Sequence, residues 1–232
     1  MTSWHPGLYV VATPLGNLGD LSPRAQETLR LASLIAAEDT RVTGRLARAA
    51  GSTARLVSLT EFNVVERIPE VLDAAAAGIA VLASDAGTPG ICDPGGRLVA
   101  AAHRAGVRVV PVAGPSALAA ALSVAGFDAA VAVFAGFLPR KPGERRSMLA
   151  RLAGPDRVVV CFEAPGRVGA LLRDAADVLG DPEAVVCREL TKMHEEVVRG
   201  RAAELADRFA AARGECTVVI GPTAEAPAAA DA

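Results

Sequence analysis

Twelve consecutive residues, Ser84-Asp85-Ala86-Gly87-Thr88-Pro89-Gly90-Ile91-Cys92-Asp93-Pro94-Gly95, follow the apolar run Ile79 to Ala83 and hold three glycines, two prolines and two aspartates. Neither a helix nor a sheet ladder accommodates them, because glycine favours turns and proline donates no backbone hydrogen bond. A buried strand that opens into a Gly-rich loop and then a helix is the place where open α/β sheets bind ligands. The missing Cβ atoms let a ligand approach the backbone, and Asp85 and Asp93 offer acceptors. In a chain of 232 residues, such a loop points to a small-molecule site.

The flanking pattern predicts the sheet that carries this loop. Strands are expected at Leu8–Ala12, Leu34–Ala37, Leu56–Leu59, Ile79–Ala83 and Val107–Val112. Helices are expected at 23–32, with Ser22 as N-cap and Pro23 in the first position, and at 43–50, 68–77 and 96–105. This βαβα alternation implies a mainly parallel sheet. Beyond the Ala-rich helix 117–125, strands are expected at 131–135, 157–162, 184–188 and 216–220, with helices at 143–153, 167–179 and 202–212. A boundary within 117–127 gives an N-terminal α/β domain over 1–120 and a C-terminal α/β domain over 121–223. The Ala/Pro-rich residues 224–232 are expected to fray.

Composition narrows the function. Hydrophobic residues make up 51% and charged residues 22% of the chain, the balance of a globular protein. No apolar run approaches the roughly eighteen residues of a membrane span. Met1 to Pro6 carry no basic region before an apolar core, so no secretory signal is expected. Cys92, Cys161, Cys187 and Cys216 are far apart and lack metal-ligand spacing. Three lie in strand-like runs, as buried free thiols do in a reducing cytoplasm. His5, His103 and His194 stand outside any ligand cluster, so no metal is expected. The net charge of −2 gives no global attraction to nucleic acid. Eight aromatic residues are too few for an extended stacking platform.

Three further polar clusters follow the other strands. Thr13-Pro14-Leu15-Gly16-Asn17-Leu18-Gly19-Asp20-Leu21 resembles a phosphate loop but lacks the Gly-Lys-Ser/Thr of a Walker motif. Glu38-Asp39-Thr40-Arg41 reads either as a helix N-terminus with acids facing its dipole or as a site with Arg41 on a phosphate and a carboxylate near a reacting hydroxyl. Ser58-Leu59-Thr60-Glu61-Phe62-Asn63 is the third. Four polar loops in successive βα positions form one rim, and the rim is more informative than any member.

Several runs together carry a resemblance. They are Leu8 to Asp20, Ala36-Ala37-Glu38-Asp39-Thr40-Arg41, Ser84 to Gly95, Pro111 to Ala117, Gly136-Phe137-Leu138-Pro139-Arg140-Lys141 with Gly143-Glu144-Arg145-Arg146, and Arg188-Glu189-Leu190-Thr191-Lys192. They are collinear, cover residues 8 to about 221, and resemble the family of bacterial ribosomal RNA small subunit methyltransferase I. The resemblance implies the two-domain α/β fold of tetrapyrrole methylases (class III methyltransferases), with S-adenosylmethionine held between the domains. It further implies 2′-O-methylation of a cytidine in the decoding region of 16S rRNA, by a homodimer. The family usually carries His where Thr60 and Phe62 stand, Ser-Pro-His-Arg where Ala164-Pro165-Gly166-Arg167 stand, and Ser in place of Cys92. Proton transfer through histidines at those positions is not expected here.

By the same resemblance, Pro14, Asp85, Ala86, Gly87, Thr88, Gly90, Ile91, Pro115, Ser116, Phe162, Glu163, Leu190 and Thr191 are expected to bind the cofactor. For Ile91 and Leu190, core packing is an equally direct reading. Methyl transfer from a sulfonium is an in-line displacement, so the protein mainly supplies alignment and a dry pocket. A ribose hydroxyl is a weak acid and needs a base or a polarising group. Lys192, Glu38 and Asp39 are the catalytic candidates. Lys192, with an ordinary pKa of about 10.4, serves as base only if burial or nearby cations lower it; otherwise it is an exposed cation.

Residues 139–151 carry Arg140, Lys141, Arg145, Arg146 and Arg151 against Glu144 alone. With Arg41 this basic patch is the expected RNA surface, its alternative being a solvated helix face. Few aromatics imply recognition of RNA shape and backbone plus one inserted nucleotide. Two other functions remain open on the sequence: a methyltransferase of this fold acting on a corrinoid or other tetrapyrrole, and a non-catalytic RNA-binding assembly factor.

Overall fold

Continuous apolar runs bounded by glycine and polar turns form strands that are covered on both faces. The computed structural model describes residues 4–223, so the expected tail at 224–232 lies outside the described residues. The chain divides into two units, one ending at Ser116 and the next beginning at Ala117.

The first unit contains β1 (Gly7–Val11), α1 (Pro23–Leu31), β2 (Leu34–Ala37), α2 (Thr40–Ala49), β3 (Arg55–Ser58), α3 (Val64–Ala77), β4 (Ile79–Ala83), α4 (Gly95–Arg104) and β5 (Val109–Val112). The sheet order is β3-β2-β4-β1-β5, and every pairing is parallel. Alternate residues feed two cores. Leu8, Ala36 and Leu82 pack with Val71 and Leu98 of α3 and α4. Tyr9, Ile35 and Val81 pack with Leu29 and Ala47 of α1 and α2. Because the strands are parallel, all five carboxyl ends lie along one edge, and those of β1 to β4 open into the four polar loops.

Two helices start earlier than the sequence pattern indicates. Asp39 accepts a hydrogen bond from Arg41 N–H and caps α2 at Thr40 rather than Thr43. Helix α3 begins at Val64, not Ile68, and carries Pro69 inside it. The hydrogen bond that Pro69 cannot make would go to the carbonyl of Val65, a residue that is 68% exposed, so water is at hand for it.

The second unit contains α5 (Ala117–Ala125), β6 (Val131–Phe137), α6 (Pro142–Leu152), β7 (Arg157–Glu163), α7 (Val168–Leu179), β8 (Glu183–Arg188), β9 (Glu196–Arg201), α8 (Ala202–Arg208) and β10 (Cys216–Ile220). Its sheet order is β6-β7-β10-β8-β9. Only β6–β7 is parallel; the other pairings are antiparallel. One face packs against α6, α7 and α8, and the other against α5 with Phe127, Phe134 and Leu190. Strand β9 is absent from the sequence pattern because Glu196, Arg199, Gly200 and Arg201 interrupt its apolar residues. It is an edge strand held by charge pairs across to β8, Arg188–Glu196 at 3.0 Å and Arg199–Glu183 at 2.9 Å, and such charges also discourage pairing with another chain. Cys161, Cys187 and Cys216 are buried free thiols. Burial pushes them up to about 12, 11 and 11 respectively, which keeps them protonated and inert.

Within the basic segment, Arg145 on α6 is folded inward while Arg140, Lys141, Arg146 and Arg151 stay exposed. Arg145 is only 4% exposed and Asp174 on α7 only 3%. Arg145 Nε donates to Asp174 Oδ2 at 2.7 Å, and Arg146 Nε donates to Asp174 Oδ1 at 2.6 Å. Arg145 is therefore not part of an RNA surface: desolvating its guanidinium requires the carboxylate that neutralises it. Arg146 keeps an exposed edge but also pairs with Asp177 at 3.0 Å. Asp174→Ala leaves a buried guanidinium without its counter-ion and is expected to destabilise the chain by about 3–5 kcal/mol. A urea titration reads this as a lower midpoint, against a near-neutral exposed control such as Arg173→Ala.

Candidate active site

The loops after β1, β4 and β5 are joined by hydrogen bonds between residues far apart in sequence. Thr13 N–H donates to Gly87 O at 2.9 Å, and Gly87 N–H returns to Thr13 O at 3.0 Å. The Thr13 hydroxyl adds a bond to Ser84 O at 3.1 Å. Thr88 Oγ1 donates to Pro115 O at 3.0 Å, tying the loop after β4 to the loop after β5. Gly87 has φ +80°, and a Cβ there would lie 3.2 Å from Leu15 Cδ2, so the turn and its packing both call for glycine. Asp93 Oδ1 accepts from Gly90 N–H and Gly95 N–H, at 2.7 and 3.0 Å, and fixes the far end of the loop.

The loop after β2 joins the same rim. Asp85 Oδ1 accepts from Asp39 N–H at 3.0 Å. Arg41 lies folded back on Asp39, 2.6 Å from Oδ2. The hydrogen bonds from the Arg41 side chain and backbone hold the Asp39 carboxyl down at about 2. Glu38 shifts the other way: partial burial raises it, and the charges of Asp85, Asp93 and Asp39 add to the effect. Asp85 is likewise raised, mainly by burial. Ala86, Gly90 and Ile91 are exposed along the loop, whereas Pro14 and Gly87 are buried beneath it. Ile91 is 41% exposed, so its core-packing reading fails. Leu190 packs partly buried against the α5 face of the second sheet.

In the second unit the site candidates follow β7 and β8. Glu163 is 3% exposed; Oε1 accepts from Ala164 N–H at 2.8 Å, and Oε2 from Arg167 Nη2 at 2.9 Å. With both oxygens engaged and the side chain buried, Glu163 anchors Arg167 and does not present a carboxylate to a cofactor. The Phe162 ring is half-buried and meets Phe134 edge-on at 5.0 Å. After β8 the chain turns through Glu189 and Thr191 at φ +52° and +67°. For a β-branched residue that is a strained conformation, of the kind that gathers at functional sites. Thr191 Oγ1 is buried without a hydrogen-bond partner.

Lys192 Nζ lies 3.0 Å from both Glu189 Oε1 and Glu215 Oε2. Burial works to lower its pKa, but the hydrogen bonds and charges of the two carboxylates outweigh it, and the net shift is upward. Lys192 is thus held as a cation, which removes the condition under which it serves as base. Glu189 lies only three residues before Lys192, whereas Glu215 is brought beside it by the β8–β10 register and carries no local signal of the pairing. Among the described residues, no group of three or more His, Cys, Asp or Glu is placed to hold a metal ion.

A family profile described as Tetrapyrrole (Corrin/Porphyrin) Methylases matches residues 7–206. The chain is 48% identical over 222 residues to a ribosomal RNA small subunit methyltransferase I of Mycobacterium tuberculosis, covering 94% of this chain and 78% of that protein. It is 45% identical over 231 residues to the protein of that name in Xylella fastidiosa, covering 97% and 85%. The chain belongs to the tetrapyrrole methylase family, in the branch of these relatives. Solved structures share the methylase fold at lower identity. Cobalt precorrin-4 methyltransferase aligns with TM-score 0.68 at 16% identity, covering 92% of this chain and 94% of that one. Uroporphyrin-III C-methyl transferase from Thermus thermophilus, complexed with S-adenosyl homocysteine, aligns with TM-score 0.64 at 21% identity, covering 93% and 97%. The two mixed α/β units are those of class III methyltransferases.

Two outcomes are expected of this methylase rim. Gly87→Val combines an unfavourable φ with a clash at Leu15 and is expected to abolish binding of S-adenosylhomocysteine in calorimetry while the chain stays folded; unchanged affinity removes the loop from the site. The Asp39 carboxyl, depressed from 3.8 to about 2, is expected to titrate at about pH 2 by carbon-13 NMR. Its favourable contribution to the α2 N-terminus is then present above about pH 4 and lost as pH falls through 2. Arg41→Ala is expected to move that midpoint upward.

Proposed function

We propose that this chain is an S-adenosylmethionine-dependent methyltransferase of small-subunit ribosomal RNA, acting on the 2′-hydroxyl of a cytidine in the decoding region of 16S rRNA, in the cytoplasm and as a homodimer. The observation that carries the reading is the Gly87 turn locked to Thr13, on a chain closely similar to ribosomal RNA methyltransferases. The residues present fit the cofactor. At Gly87 a side chain would press on Leu15 beneath the loop, so glycine there sets the loop's conformation. Ala86, Gly90 and Ile91 expose backbone and apolar surface beside Asp85. Thr191 keeps a buried hydroxyl without a partner, which a ligand group can satisfy. In this reading Pro14, Asp85, Ala86, Gly87, Thr88, Gly90, Ile91, Pro115 and Ser116 of the first unit hold the cofactor. In the second unit, Phe162, Leu190 and Thr191 are the cofactor residues that the family resemblance implies.

When bound, S-adenosylmethionine supplies an electrophilic methyl group on a sulfonium. The protein's part is to orient the accepting oxygen, exclude water and take its proton. Glu38 is the better proton acceptor of the acidic pair. Burial and three neighbouring carboxylates raise its pKa, whereas Asp39 is held ionised down to about 2 and is a correspondingly weak base. Lys192, fixed between Glu189 and Glu215, contributes a placed positive charge. Arg41, Arg140, Lys141 and the exposed edge of Arg146 supply phosphate contacts, so binding falls with salt.

The test is transfer of labelled methyl from S-adenosylmethionine to small ribosomal subunits lacking the modification, followed by alkaline hydrolysis, which leaves a dinucleotide at a 2′-O-methyl ribose. Label in such a dinucleotide is expected. Label on a base, or on an added tetrapyrrole instead, contradicts the proposal. Glu38→Gln is expected to slow single-turnover transfer by about 100-fold or more and to remove its acid limb, with cofactor affinity kept. Lys192→Arg is expected to retain most of the rate, since the charge remains.

A further inference from the structure

The segment Phe137–Lys141 is held from beneath by two guanidinium groups. Arg145 Nη1 donates to Arg140 O at 3.2 Å while its Nε is engaged by buried Asp174. Arg167 Nη2 donates to Leu138 O at 3.0 Å and to Glu163 Oε2 at 2.9 Å. Each donor is backed by a carboxylate that is almost fully buried, with Glu163 at 3% and Asp174 at 3% exposed. A loop so fixed loses little conformational freedom when it binds a partner.

What this loop presents is unusual for so aromatic-poor a chain. The β6–β7 register shifts between Phe134 and Phe137, and Gly136 within the shift has φ +62°. Such a bulge re-aims the side chain that follows it. Phe137 is left 60% exposed, steadied on one side by Phe162 with ring centroids 5.9 Å apart at 66°. Arg140 and Lys141, three and four residues on, are exposed. An open ring with two cations close by in the chain is complementary to an unpaired base and its phosphates. Phe62 is more exposed, at 98%, but its neighbour is Glu61, which repels phosphate.

We infer that Phe137 stacks on an unpaired nucleobase of the RNA substrate, with Arg140 and Lys141 on the adjoining phosphates and with Arg145 and Arg167 as positioning residues that never touch RNA. The inference rests on the proposed RNA substrate and adds the residue that reads an extruded base. It also gives the buried Arg145 a role: it shapes the surface from below.

The test compares the full chain with Phe137→Leu and Phe137→Trp, using unmethylated small ribosomal subunits as the RNA probe in filter binding. Leucine keeps an apolar group and removes the aromatic face; tryptophan keeps the face. Phe137→Leu is expected to weaken RNA binding on the order of tenfold, and Phe137→Trp to restore it. Affinity for S-adenosylhomocysteine and the sedimentation coefficient are expected to stay unchanged in both. RNA binding by Phe137→Leu equal to that of the unaltered chain overturns the inference alone. A changed sedimentation coefficient in Phe137→Leu overturns it in favour of a contact between copies. An equal loss of cofactor affinity overturns it in favour of a ring belonging to the cofactor pocket. Failure of the unaltered chain to bind the subunits overturns the RNA substrate as well.

Discussion

The paired backbone hydrogen bonds between Thr13 and Gly87 are the constraint on which the rest of the first unit's rim depends. They join the loop after β1 to the loop after β4, neighbours in the sheet but 74 positions apart in the chain, as the Thr13 hydroxyl does again. A strand end with a free Gly-rich loop would sample many conformations, and a ligand would have to pay the ordering entropy on binding. Here the bridge orders the loop in advance. The Thr88–Pro115 and Asp39–Asp85 bonds then carry the same ordering outward to the loops after β5 and β2.

Electrostatics divides the charged residues by what lies next to them rather than by charge type. Three carboxylates at the rim illustrate it. Asp39 faces a guanidinium and a helix N-terminus and stays ionised; Glu38 and Asp85 face burial and other carboxylates and are raised. In the second unit Asp174 and Glu163 are the buried counter-ions of Arg145 and Arg167. Those pairs act less as sources of stability than as devices that aim a loop, since a buried ion pair gains little over a well-packed apolar substitute.

Much of the fold was legible because its signal is local. Ile79–Ala83 and Cys216–Ile220 are apolar runs between breakers, and Ser22-Pro23 is a helix start that can be read from two residues. The Ser84–Gly95 run was legible as an irregular loop for the same reason, since three glycines and two prolines fall within twelve residues. The failures share the opposite property. Strand β9 has too few apolar residues to be seen without its partner β8. Helix α3 tolerates Pro69 because of where Val65 happens to face. Arg145 reads as surface from its neighbours Lys141 and Arg146, yet it turns inward to an aspartate 29 positions away. The upward shift of Lys192 comes from Glu189, three residues before it, and from Glu215, which only the antiparallel register brings in. Positions set by tertiary pairing leave no trace in local sequence.

In the proposed function, the rim organised by Thr13 and Gly87 binds S-adenosylmethionine. Hydrogen exchange read by mass spectrometry, with and without S-adenosylhomocysteine, tests it most directly. Slower exchange is expected on ligand addition in peptides spanning 12–16 and 84–92, where the bridge and the exposed loop lie. Slower exchange confined to other segments, with those two unchanged, would contradict it.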